Sequence, residues 1–215
     1  MTRRLFMVLT LVLFLQAVTF AADVSVETGT ATPPESVSDA IKGTLAAESI
    51  TVSVDGATLA QFWFRSQPVA AASPSTDLGV NFGKIEDGSL VGVIQLESKW
   101  ADYKKDPIAP GVYTLRYEVM PADGNHMGVA TYRDFLLLSP IANDKDPNKN
   151  LGFEDMVSLS SEATGVPHPA VLSLFPVWDP VSKPTIIKND LDQPTLAVPV
   201  GDVQFGLVVE GHGEI

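Results

Sequence analysis

The chain has no cysteine. Disulfides, thiol nucleophiles and zinc–thiolate centres are therefore excluded. Basic residues are also scarce: 14 Lys and Arg stand against 26 Asp and Glu, for a formal charge of −12. A polyanion repels phosphate backbones and anionic lipid surfaces, so nucleic acid drops out as a partner class. Only three histidines occur, His126, His168 and His212, and no two of them stand at metal-ligand spacing. The chain lacks a Gly-x-Ser-x-Gly elbow and a His-Glu-x-x-His pair, the local signatures of two large hydrolase classes. Beyond the N-terminus no apolar run approaches the roughly 20 residues that a spanning helix needs.

The one apolar run is N-terminal. Arg3 and Arg4 precede Leu5–Leu15, and Thr19 and Ala21 follow at the small-residue positions of a cleavage site. This order predicts a secretory signal peptide over 1–21. Cleavage after Ala21 leaves 194 residues, and losing Arg3 and Arg4 takes the charge from −12 to −14. The expectation is a periplasmic or secreted bacterial protein, with no membrane insertion once the signal is removed. A chain of that length can build a core without disulfide staples.

Residues 22–47 are rich in Thr, Ser, Pro and Glu and read as a flexible leader, with a short helix over Ala40–Ala47. From residue 48 to 215 the pattern is that of one β-domain. Ile50, Val52 and Val54 alternate with polar residues up to Asp55-Gly56, a hairpin turn, and Thr58–Arg65 returns. Asp87-Gly88 makes another turn before a strand at Leu90–Leu96. Pro110-Gly111 then opens the clearest strand in the chain. Tyr113, Leu115, Tyr117 and Val119 alternate with Thr114, Arg116 and Glu118, which predicts an aromatic face in the core and a charged face in water. Pro121 ends that strand, Asp123-Gly124-Asn125 turns it, and Val129–Leu138 returns.

Asn143–Asn150 (NDKDPNKN) is the sharpest composition break and reads as a loop or a junction. After it, Phe153–Glu162 has helical spacing with acidic residues at its start and Gly165 past its end. Short strands follow at Val171–Phe175, Thr185–Lys188, Thr195–Val198 and Val203–Glu210. Trp100–Asp106 reads as a loop. Eight to ten short strands and one short helix predict an all-β fold, an immunoglobulin-like antiparallel β-sandwich.

The run Pro110-Gly111-x-Tyr113-x-Leu115-x-Tyr117-x-Val119, closing on Asp123-Gly124, resembles the C-terminal signature of periplasmic copper-resistance proteins of the immunoglobulin-like class. The stretch also looks like exported bacterial β-sandwich domains of unknown function. The resemblance covers about Pro110–Gly128. It implies a sandwich fold and a copper(II) site built from a turn histidine and a histidine at the mature N-terminus. In this chain Asn125 holds the turn position, His126 comes one residue later, and the expected start, Ala22-Asp23-Val24, has no histidine. The metal candidates are accordingly His126 and Asp123, with Met127 beside them as a soft ligand.

Two other chemistries compete with plain structural roles. Ser160, Ser161, Glu162 and His168 lie close in sequence, but a nucleophile needs its base within hydrogen-bond reach, which sequence proximity does not supply. Phe62, Trp63 and Phe64 are consecutive on a strand, so one ring faces away from the other two. An outward Trp63 would stack on a ligand; the alternative is cover by the leader or the C-terminal section. Trp100 and Trp178 are open to the same two readings. The leading expectation is a non-enzymatic exported module that binds a protein or small ligand. A copper- or metal-binding protein using the turn around His126 comes second, and a hydrolase with an unrecognised site third.

Overall fold

The computed structural model describes residues 23–101, 106–123, 126 and 130–209. The signal peptide expected at 1–21, and the candidates Met127 and His212, lie outside these residues. Among the described residues the chain forms twelve strands and two helices: β1 Val24–Gly29, α1 Asp39–Lys42, β2 Ser49–Val54, β3 Ala57–Phe64, β4 Leu90–Leu96, β5 Trp100–Ala101, β6 Pro107–Ile108, β7 Gly111–Val119, β8 Asp134–Pro140, α2 Phe153–Thr164, β9 Val171–Pro176, β10 Thr185–Lys188, β11 Pro194–Val200 and β12 Val203–Val208. Ten strands run antiparallel in the order β1-β2-β3-β4-β7-β8-β9-β12-β11-β10, and β5-β6 is a separate small ribbon. Among the described residues the fold is all-β, as the alternation requires, and α2 is the one helix of more than a single turn.

β9 makes the sandwich. Val171, Leu172 and Ser173 pair with β8, whereas Leu174, Phe175 and Pro176 pair with β12. One strand thus gives its first half to one sheet and its second half to the other, the corner device of packed sheets. The halves face each other across the main core, where Phe64 and Phe82 meet Phe205 at ring-centroid distances of 6.4 and 5.1 Å. Because β9 runs between β8 and β12, residues 151–209 belong to the same sandwich as the strands before them.

Local signals explain the turns. Asp55 (φ 50°) and Gly56 (φ 78°) both take positive φ, the pair of left-handed residues that a two-residue hairpin with matching twist demands. Gly165 (φ 71°) caps α2 in the left-handed conformation, its N–H bonded to Ser161 O.

Three expectations are corrected. Residues 24–29 are not a flexible leader: β1 pairs along its whole length with β2. Trp100 does not start a loop, because it pairs with Ile108 in the small ribbon. The largest correction concerns β7. Tyr113, Leu115 and Tyr117 are buried as expected, but Thr114, Arg116 and Glu118 on the opposite face are buried too, Arg116 completely. The register is right; a second layer covers the outer face. That layer is the 143–150 segment, read from sequence as a loop or junction; α2, which follows it, packs on β8. Asp144 grips Arg116 through both oxygens, at 2.7 and 2.8 Å, and also accepts from Thr114 Oγ1 at 2.6 Å. The remaining guanidinium protons go to Gly88 O, Lys149 O and Asp146 O at 2.7, 2.7 and 2.9 Å. All five Arg116 donors are used, so the buried charge is both paired and saturated.

Candidate functional site

Pro121 cannot donate to a ladder, and β7 stops two residues before it. Asp123 then organises the turn. Its Oδ1 accepts the backbone N–H of His126 at 3.0 Å and faces His126 Nδ1 at 2.7 Å. From the other side, α2 presents Phe153 and Val157, one turn apart and therefore on one helical face. Past the Gly165 cap the chain doubles back through Pro167, His168 and Pro169. Thr164 Oγ1 donates to His168 O at 2.7 Å and fixes that return.

These pieces enclose a cleft of about 310 Å³. Met120, Phe135, Val171, Phe153 and Val157 supply its apolar wall, three prolines stiffen its rim, and His126 and His168 supply the polar groups. Met120, Pro121 and His126 form a ridge shared with a second, more open cleft of about 540 Å³ that reaches Leu78 and Arg133. Arg133 ties the two sides of that second cleft together. Its Nε donates to Met120 O at 2.8 Å, and its Nη1 lies 3.5 Å from Asp77 Oδ2.

Beneath the clefts lies a buried acidic layer. Asp134 accepts from Tyr117 Oη, Asn81 N and Phe82 N at 2.7, 2.7 and 3.1 Å, which pins the 81–82 segment to β8. Burial, reinforced by the Asp134 carboxylate, drives the Tyr117 hydroxyl well above its ordinary pKa. Glu118 is pushed up to about 7, first by burial and then by Asp87; the Val119 N–H and Arg116 oppose the shift without cancelling it.

The structure separates the sequence candidates. It brings His126 and Asp123 together, and it brings His168, 42 residues later in the chain, to the cleft that His126 lines. His168 Nδ1 lies 3.8 Å from Asp106 Oδ2. Among the described residues no group of three or more His, Asp or Glu side chains is placed to hold a metal ion. Ser160 Oγ is occupied with the backbone of Ala170, accepting from its N–H at 3.0 Å, and Ser161 Oγ donates to Ser158 O at 2.8 Å. Both serines therefore serve local structure.

Trp63 is the ring that faces away from Phe62 and Phe64, but it does not reach solvent. It is 1% exposed, packs with Val37 and Ile41 of the former leader, and donates its Nε1 to Ala31 O at 2.7 Å. A stacking role for Trp63 gives way to a core role, because the segment around α1 covers it. Trp100 is also buried, edge-on to Phe62. Sequence reasoning missed Met120, Phe153, Val157 and the Pro167/Pro169 rim. The spacing of Phe153 and Val157 marks one helical face, but nothing in the sequence says what that face meets.

No family model matches the chain, and no curated protein or solved structure matches it.

Proposed function

We propose that the protein is an exported, non-enzymatic β-sandwich module that binds a small, largely apolar ligand in the cleft between the end of β7 and α2. The observation that carries this reading is the cleft itself: about 310 Å³, apolar-walled, with two imidazoles from distant parts of the chain on its lining. Small-molecule sites have this character, a concave apolar surface with few polar groups placed to orient the occupant. The prolines of the rim hold it open at little entropic cost. The net charge of −12 disfavours anionic ligands, so the occupant is neutral or cationic.

The test uses the mature protein and Nile red, a neutral probe whose emission reports an apolar site. Saturable one-to-one binding is expected in the parent, and Val157→Trp, which fills the cleft, abolishes it. Unsaturable binding, or equal binding by the filled variant, overturns the reading. The export half rests on Arg3-Arg4, the apolar run and Thr19-x-Ala21. N-terminal sequencing of the exported protein is expected to begin at Ala22; an intact Met1 removes that half.

A metal at His126 is the second reading. It is favoured by the arrival of His168 in the cleft that His126 lines. Copper(II) wants several nitrogen or oxygen ligands converging in fixed geometry. Asp123 Oδ1 already serves the N–H and the Nδ1 edge of His126, so it orients the imidazole instead of adding a ligand. The donors present do not fit a tight copper(II) site.

A further inference from the structure

The three tryptophans have divided fates. Trp63 and Trp100 are buried, whereas Trp178 is 68% exposed, in the turn after β9. An exposed indole is unremarkable when its ring swings freely. This one does not. Its Nε1 lies 3.3 Å from both oxygens of Asp190. The same carboxylate accepts the Tyr132 hydroxyl at 2.9 Å, and the Tyr132 ring stands edge-on to the Phe175 ring at 5.1 Å. Phe175 is core. Asp190 is itself held on a built turn: Asn189 Oδ1 accepts from Leu191 N and Gln193 N at 2.9 and 3.1 Å, and Asp192 takes positive φ. The indole is thus tied by its polar edge, through Asp190 and Tyr132, to the sandwich.

We propose that Trp178 and Asp190 form a carbohydrate-binding platform that takes one pyranose ring of a neutral glycan. A fixed, open aromatic face suits the C–H face of a sugar, and pre-organisation spares the cost of ordering it on binding. A carboxylate has about four lone-pair positions. Trp178 and Tyr132 do not exhaust them, so Asp190 has capacity left for sugar hydroxyls at the edge of the ring. Acidic glycans are repelled by the overall charge. A quaternary ammonium group is the natural rival for an indole among carboxylates, but such cations are held in cages of several aromatic faces. Here the second ring, Tyr132, is turned edge-on into Phe175 and presents no such wall.

With the other two tryptophans buried, Trp178 is the solvent-facing fluorophore. The experiment titrates the mature protein with maltohexaose, cellohexaose, chitohexaose and mannohexaose, following tryptophan emission and, independently, heat. One member of the panel is expected to bind saturably and to shift the emission to the blue. Trp178→Ala should weaken it at least tenfold, Trp178→Phe should retain part of it, and Asp190→Ala should weaken it severalfold. The cleft-filling Val157→Trp, read calorimetrically, should leave it unchanged, so failure here is distinct from failure of the cleft reading. Binding by none of the four, equal binding by Trp178→Ala, or saturation by tetramethylammonium in place of any glycan overturns the proposal.

Discussion

Arg116 and Asp144 form a two-pronged ion pair in which both side chains are almost completely removed from water, at 2.7 and 2.8 Å. The arginine comes from the middle of a strand and the aspartate from a loop 28 residues on. The pair sits between the outer face of β7 and the 143–150 segment, so it decides whether that segment lies down.

Removing one partner strands the other. Asp144→Ala should cost about 3–5 kcal/mol, because Arg116 keeps its buried charge without the carboxylate. Arg116→Met combined with Asp144→Leu should not restore the parent's stability, because Gly88 O, Lys149 O and Asp146 O then lose their donor and Thr114 Oγ1 its acceptor. Urea unfolding midpoints measure both. A cost below about 1 kcal/mol for Asp144→Ala would mean that the pair behaves like an exposed one.

Glu118 makes stability depend on pH. Its carboxyl titrates near 4.5 in the unfolded chain and at about 7 in the folded one. Below 4.5 both states hold the proton and Glu118 contributes nothing. Between 4.5 and 7 the unfolded chain releases its proton while the folded chain keeps it, so folding becomes less favourable as pH rises. Above 7 the full penalty of about 3 kcal/mol is in place. Glu118→Gln should therefore stabilise the protein at pH 8, change little at pH 4.5, and flatten the profile between. Equal effects at both pH values would show that the carboxyl is solvated.

Tyr117 tests the Asp134 anchor. Tyr117→Phe keeps the ring and removes one donor from Asp134, an expected loss of about 1–2 kcal/mol. Tyr117→Ala also opens a cavity under β7 and should cost about 3 kcal/mol or more. The midpoint difference between the two variants separates hydrogen bond from packing. Indistinguishable variants would place the ring outside the core.

Copper(II) should bind the mature protein no more tightly than micromolar, with His126→Ala changing little. Titration against a competing chelator measures this. A one-to-one submicromolar complex that His126→Ala abolishes would reverse the order of the two functional readings.

Where a signal was local, the sequence carried it. The alternation of Tyr113, Leu115 and Tyr117 gave the inner face of β7, Asp55-Gly56 gave the β2–β3 hairpin, and Gly165 gave the end of α2. What it could not carry was cover. Arg116 and Glu118 have the polarity of a wet face, and their burial depends on Asp144 arriving from elsewhere. Trp63 shows the same limit: alternation says that it opposes Phe62 and Phe64, and only the path of residues 31–41 says that it is roofed. β1 was hidden because Val24-Ser25-Val26 is brief and sits in disorder-like composition. The cleft was hidden because His126 and His168 come to one lining only through the packing of α2 on β8.

The divided allegiance of β9 bears on how the chain assembles as it is made. Strands β2 to β4, β7 and β8 each lie beside one already synthesised, so they can zip together in order from the N-terminus. β9 breaks that rhythm. Its first half finds β8 at once, but Leu174, Phe175 and Pro176 have no partner until β12 appears, some 30 residues later. Until then an apolar strand edge stands open, ready to pair with a neighbouring chain. A truncation just before β12 should therefore yield a product that aggregates, whereas a chain that includes β12 closes the edge.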